Sequence, residues 1–106
     1  MRAGRRDRLI RIDRLVVTKD AAGADVEAWV LHAQEWAEYL PMRGKEIIAA
    51  QQRLGESVAV FRILFRDDIT RKHSILMGGV RYEIANIDPV KRRTGLELLC
   101  RQIDEN

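Results

Sequence analysis

The stretch "SVAVFRILFR", residues 57–66, alternates with a period of two. Ala59, Phe61, Ile63 and Phe65 fall on one face, and every one of them is apolar. That period belongs to a strand with one side against a core, because successive side chains on extended backbone point to opposite faces. The other face carries Val58, Val60, Arg62, Leu64 and Arg66. Three aliphatic residues among two arginines suit partial cover by another element or by a neighbouring subunit. Arg62 and Arg66 are therefore candidate interface residues.

Working outward, the same grammar recurs. "HSILMGGVRYEIANI" (73–87) reads as a hairpin, since Gly78-Gly79 supplies the positive φ values that a two-residue primed turn requires. Val80, Tyr82 and Ile84 then alternate with Arg81 and Glu83. "DPVKRRTG" (88–95) is a second turn and "LELLCRQI" (96–103) a last strand. Towards the N-terminus, "LIRIDRLVV" (9–17) places Ile10 and Ile12 on one face and Arg11 and Asp13 on the other, followed by the turn "KDAAGAD" (19–25). "VEAWVLHAQEWAEYL" (26–40) fits two periods. Trp29, Ala33 and Trp36 recur at helical spacing, whereas Trp36, Glu38 and Leu40 alternate with Ala37 and Tyr39. Pro41 also favours extended backbone at Leu40.

One segment breaks the pattern. "RGKEIIAAQQRLGE" (43–56) reads as a helix over about 44–54, with Gly44 as N-cap, Glu46 in the first turn and Gly55 just past the end. Ile47, Ala50 and Leu54 share a narrow face with Ile48 beside it, leaving Lys45, Gln51, Gln52 and Arg53 outside. About three turns do not persist alone in water, so this helix needs a surface to lie on. The whole predicts one mainly β domain over 1–106, a small barrel or sandwich of short antiparallel strands with one helix inserted.

The chain has 106 residues and a formal net charge of +3. Its basic residues cluster at the N-terminus, where Arg2, Arg5, Arg6 and Arg8 fall in a segment, 1–8, that has little to bury, and again at Lys91 to Arg93. Such a balance favours an acidic protein surface or nucleic acid as partner. The N-terminus has no apolar signal-peptide core, and no apolar run approaches the roughly 18 residues of a membrane helix. The single cysteine, Cys100, forms no internal disulfide and shares a face with Leu96 and Leu98, so it reads as a core residue. The expected setting is soluble and intracellular at synthesis, with no membrane contact.

Catalytic and metal signals are weak. His32 and His73 stand at no ligand spacing, and Asp67-Asp68 reads as turn chemistry. No catalytic residue, metal ligand or cofactor is expected. A small basic barrel that binds single-stranded nucleic acid is the alternative reading. It would need aromatics interleaved with basic residues on one exposed strand face. Phe61 and Phe65 lie on the core face instead, which leaves Trp29, Trp36 and Tyr39 as stacking candidates.

The ordered set "MRAGRRDRLIRIDR", "W…EWAEYLPMRGKE…AAQQ", "FRILFRDDIT" and "GGVRYEI…LELLCR" resembles the phage head–tail joining family, the head-closure or stopper proteins of tailed phages, prophages and gene transfer agents. The likeness runs over nearly the whole chain. It departs at Arg43, where relatives often carry a small polar residue, and in "KDAAGAD", which lacks an aromatic that some relatives show. The resemblance implies a non-enzymatic barrel that forms a homo-oligomeric ring in the virion's head–tail connector, assembled in the bacterial cytoplasm. Portal and adaptor rings would lie on the head side and the tail terminator on the tail side. The ring would close the channel after packaging, and DNA would pass without sequence-specific binding. It also favours a strand for 35–42 and makes 43–56 an excursion from the barrel. Ile47, Ile48 and Leu54 would then pack on the chain's own barrel or on the next subunit, Lys45, Gln51, Gln52 and Arg53 would face the lumen or a partner ring, and the arm with Arg2, Arg5, Arg6 and Arg8 would meet an adjacent ring.

Overall fold

The structure, a computed structural model, describes residues 6–40, 48–50, 52 and 58–103. Six antiparallel strands make up the fold: β1 (Arg8–Lys19), β2 (Asp25–Leu40), β3 (Val58–Leu64), β4 (Ser74–Met77), β5 (Val80–Pro89) and β6 (Gly95–Ile103). They close into a barrel in the order β1-β2-β3-β6-β5-β4, so the mainly β expectation holds. Closure leaves the barrel itself without an edge.

The alternation read from the sequence fills the lumen. Phe61 and Ile63 from β3, Ile10 and Ile12 from β1, Ile75, and Leu98 and Cys100 are all 0% exposed. Each buried aliphatic side chain contributes about 1.5–3 kcal/mol, which is how a small barrel offsets its ordering entropy. Phe61 stands at the centre. Tyr39 and Tyr82 meet it edge-on, with ring centroids 5.7 and 5.3 Å away. Phe65, just past the end of β3, packs half-buried against the same core.

The segment 26–40, which fitted two periods, is part of one continuous strand of 16 residues. β1 and β2 are therefore longer than the short strands expected, and their length has a structural result. β1 pairs with β4 only through Arg11, Ile12 and Asp13, and β2 pairs with β3 only through Glu38, Tyr39 and Leu40. Beyond those contacts, Arg14–Lys19 and Asp25–Val30 pair with each other and leave the barrel as a two-stranded ribbon. Its tip is tied by Asp20, whose carboxylate accepts from the Ala22 and Ala24 amides at 2.9 Å, while Gly23 takes φ +86°. At the ribbon's root, the register shifts between Ile12 and Asp13 and His32 is the extra residue of the bulge.

The other turns also follow the sequence. Gly78 and Gly79 have φ of +58° and +80° between β4 and β5. Between β5 and β6, however, Arg92 and Arg93 also take positive φ, +59° and +55°, in a 3-10 turn at Lys91–Arg93. Of the inserted helix, Ile48, Ala49, Ala50 and Gln52 are helical, and Ala50 is buried as its place on the apolar face requires.

Candidate interaction surface

The two arginines of the mixed β3 face have partners inside the chain. Arg62 donates to Glu97 on β6 through Nε at 3.1 Å and through Nη2, and its Nη1 lies 3.7 Å from Glu38 on β2. Arg66, past the strand end, forks onto Asp68 (2.9 and 2.8 Å) and reaches Glu35 at 2.5 Å. Only Leu64 on that face is strongly exposed, at 45%. Cross-strand ion pairs thus account for both arginines within a single copy, a role the one-strand pattern did not reveal.

Arg66 belongs to a network that the sequence hid. Asp67-Asp68 is more than turn chemistry, because Asp68 also accepts from His32 Nε2 at 2.8 Å across 36 positions of chain. Arg66 and then His32 hold the Asp68 carboxyl well below the usual carboxylate range. It is therefore ionised and acts only as acceptor, which puts the proton of His32 on Nε2. The His73 ring lies 4.4 Å from that of His32, and its Nδ1 accepts from the Thr70 amide at 3.1 Å. Burial, and then the nearby His32, lower the His73 pKa. A histidine paired with a carboxylate is one part of a nucleophilic triad, but no serine or cysteine hydrogen bond to His32 appears among the described residues. The Cys100 thiol is buried in the lumen and pushed well above its ordinary pKa. No group of three potential metal ligands occurs among the described residues.

A second network pins the ribbon. Asp13 and Ser74 face outward from the barrel, yet each is 1% exposed. Arg81 donates from Nη1 to Asp13 at 2.7 Å and to Ser74 Oγ at 2.9 Å, and Arg11 donates to the other oxygen of Asp13. Trp29, from the ribbon, places its ring 5.1 Å from the Arg81 guanidinium. Trp29 is thus engaged by a protein cation, and Tyr39 lies against Phe61 and Arg8, its guanidinium carbon 6.0 Å from the ring. Trp36, 52% exposed and opposite Leu9 in the β1–β2 register, is left as an outward aromatic.

The exposed apolar surface is concentrated on these two strands. Leu9, Leu15 and Val17 on β1 and Val26, Val30, Leu31, Trp36 and Tyr39 on β2 are each 38–54% exposed. The register places Leu15, Val17 and Leu31 on one face of the ribbon and Val26 and Val30 on the other, so both of its faces carry exposed apolar side chains. Of the residues singled out from the sequence, Arg8 is the first residue of β1, paired with Ala37, and so belongs to the sheet. Arg6 is half-buried and Ile48 is 55% exposed. Gln52 is exposed, and Arg2, Arg5, Lys45, Ile47, Gln51, Arg53 and Leu54 lie outside the described residues.

The surface thus combines polar networks that join strands with exposed apolar side chains on β1 and β2. Residues 1–103 match the family model described as phage head completion protein, and the chain belongs to that family. It is a structural family, and membership gives this chain a structural role at the phage head and contacts with other virion proteins. Among solved structures, the fold is shared with the solution structure of protein SF1141 from Shigella flexneri 2a, at 29% identity, TM-score 0.80 and full coverage of both chains. It is also shared with a chain of the virion of a native gene transfer agent particle, at 16% identity and TM-score 0.61, covering 92% of this chain and 94% of that one. No curated protein matches.

Proposed function

We propose that this protein forms a ring in the head–tail connector, closes the DNA channel once packaging ends and presents the surface on which the tail docks. The family match over residues 1–103 carries this reading. The exposed apolar residues of β1 and β2 support it, because a ring needs lateral contacts that a solitary barrel does not. On this reading no step is catalytic. The 43–56 excursion meets the lumen or the next ring, with Ile47, Ile48 and Leu54 as anchors and Lys45, Gln51, Gln52 and Arg53 as adaptable contacts. Arg2, Arg5 and Arg6 engage an adjacent ring, and assembly takes place in the bacterial cytoplasm.

The test is complementation of particles that lack the protein. The unaltered chain should yield filled, tailed particles with a ring of density at the connector. Leu54→Asp should leave far-UV circular dichroism unchanged and give leaking or tailless heads. Full, tailed particles made without the protein would sink the proposal. Normal particles from a folded Leu54→Asp variant would remove the excursion from it. The nucleic-acid reading predicts DNA affinity that falls steeply with added salt, whereas ring docking through mixed contacts responds weakly.

A further inference from the structure

Two loops meet at the end of the barrel from which the ribbon leaves. β3 ends at Leu64, opposite Gly95 at the start of β6, and β4 starts at Ser74, opposite Asp13. The 65–73 loop and the Lys91–Arg93 turn therefore share that end, and the Arg93 guanidinium lies over the Phe65 ring between them. Arg71 and Lys72 on the loop and Lys91, Arg92 and Arg93 on the turn are all exposed. Arg14, exposed at the root of the ribbon, belongs with them. After burial and His32, its charge helps to lower the pKa of His73, the neighbour of Lys72. None of these cations enters an ion pair among the described residues. Of the carboxylates nearby, Glu35 and Asp68 are engaged by Arg66, and Asp67 and Asp88 are exposed, the latter accepting from Asn86. The turn also holds Arg92 and Arg93 in left-handed backbone, and strain of this kind collects at functional sites.

We infer that this end of the barrel binds the phosphate backbone of duplex DNA, through Arg14, Arg71, Lys72, Lys91, Arg92 and Arg93. The inference deepens the proposed closure of the channel and rests on it for where DNA is met. A protein partner would want apolar anchors at the centre of its contact, yet no residue of 65–73 or 90–94 is a strongly exposed apolar one. A single strand would want open aromatic faces for its bases, and Phe65 is half-buried beneath Arg93. Lysine and arginine heads on loops, with no helix or strand to enter a groove, position phosphates and read no sequence. Contacts of that kind let a protein slide along DNA, so the surface holds a packaged duplex without clamping it. Repeated around a ring, the cluster becomes a positive collar in which weak contacts act together.

Fluorescence anisotropy tests this with the full chain and short labelled duplexes of unrelated sequence. The unaltered chain should bind them all alike, with affinity that falls steeply as salt rises. Arg92→Asn, which relieves the backbone and so keeps the fold, should weaken binding and flatten the salt slope by about 1. Adding Lys72→Gln and Lys91→Gln should flatten it further, with thermal melts to check folding. Arg101→Gln removes the same charge near the other end of β6, opposite Val58, and should leave binding almost unchanged. Equal losses from Arg101→Gln and Arg92→Asn, tighter binding of single strands than of duplexes, or equal competition by polyglutamate each overturn the DNA surface. In particles, the chain with Lys72→Gln, Lys91→Gln and Arg92→Asn together should still form the ring but leak DNA. Full heads from that chain overturn the inference and leave the ring reading intact. Absence of ring density with the unaltered chain overturns the ring reading, while anisotropy still decides whether this surface binds DNA.

Discussion

Asp13 and Arg81 show how much can hang on one pair of side chains. Asp13 is 1% exposed and accepts from two arginines, so Asp13→Ala takes the carboxylate away from Arg81, which is itself 9% exposed. Breaking a buried pair from one side costs about 3–5 kcal/mol. That is a large share of a domain's total of about 5–15 kcal/mol. Urea unfolding should show the loss, and Asp13→Leu combined with Arg81→Met should recover most of it. Arg66 makes a milder case at a wetter site. Its loss should cost roughly 1 kcal/mol at neutral pH, since its partners are partly exposed and screened. The pH dependence has a definite sign. Asp68 titrates below its unfolded value of about 3.9. Its contribution is therefore complete above that value and is lost as pH falls towards the folded pKa. Thermal melts of the unaltered protein and Arg66→Ala should differ at pH 7 and converge in strong acid. None of these pairings was legible from a single strand. Asp13 and Arg81 are 68 positions apart and His32 and Asp68 are 36 apart, and only barrel closure brings them together.

At the level of elements, the turns were read correctly wherever glycine marked them, as at Gly23, Gly78 and Gly79. The turn between β5 and β6 also lay where "DPVKRRTG" put it, but its conformation was hidden, because Arg92 and Arg93 occupy backbone that arginine disfavours. The left-handed region costs a residue with a Cβ about 1–2 kcal/mol. Asparagine tolerates that region, so Arg92→Asn should raise the urea midpoint by up to about 1 kcal/mol of stability at unchanged m-value. Arg93 is a poorer place for the same change, since its guanidinium lies 5.7 Å from the Phe65 ring and the contact would be lost. The strand β2 was hard to read for a related reason. A ribbon with solvent on both faces is under no pressure to alternate, so Val26 to Leu31 shows no period of two, and Trp29 and Ala33 fall by chance at helical spacing.

For the molecule as a whole, the inner faces of β1, β3 and β6 were legible because a narrow lumen accepts only apolar side chains. Ile10, Ile12, Phe61, Ile63, Leu98 and Cys100 all point where alternation placed them. The outward surface was not, since its meaning depends on neighbours. Cys100 offers a probe of the closed barrel. It is fully buried and its thiol is held protonated, so an alkylating reagent should reach it only when the barrel opens as a unit. Its labelling rate should then track global stability across the Asp13 and Arg92 variants. Faster labelling without a change in urea midpoint would show a local breach instead. The length of β2 has a mechanical side. A strand is close to full extension, at about 3.3 Å per residue, so it has almost no axial slack. β2 runs unbroken from the ribbon tip at Asp25 to Leu40, about 50 Å by the same rise, and Leu40 lies three positions before the inserted segment that starts at 43. It is a tie rod between two remote ends of the molecule. A pull on the tip arrives at Leu40 undiminished by stretching. The bulge at His32 interrupts the rod's pairing with β1, and there His32 is held by Asp68.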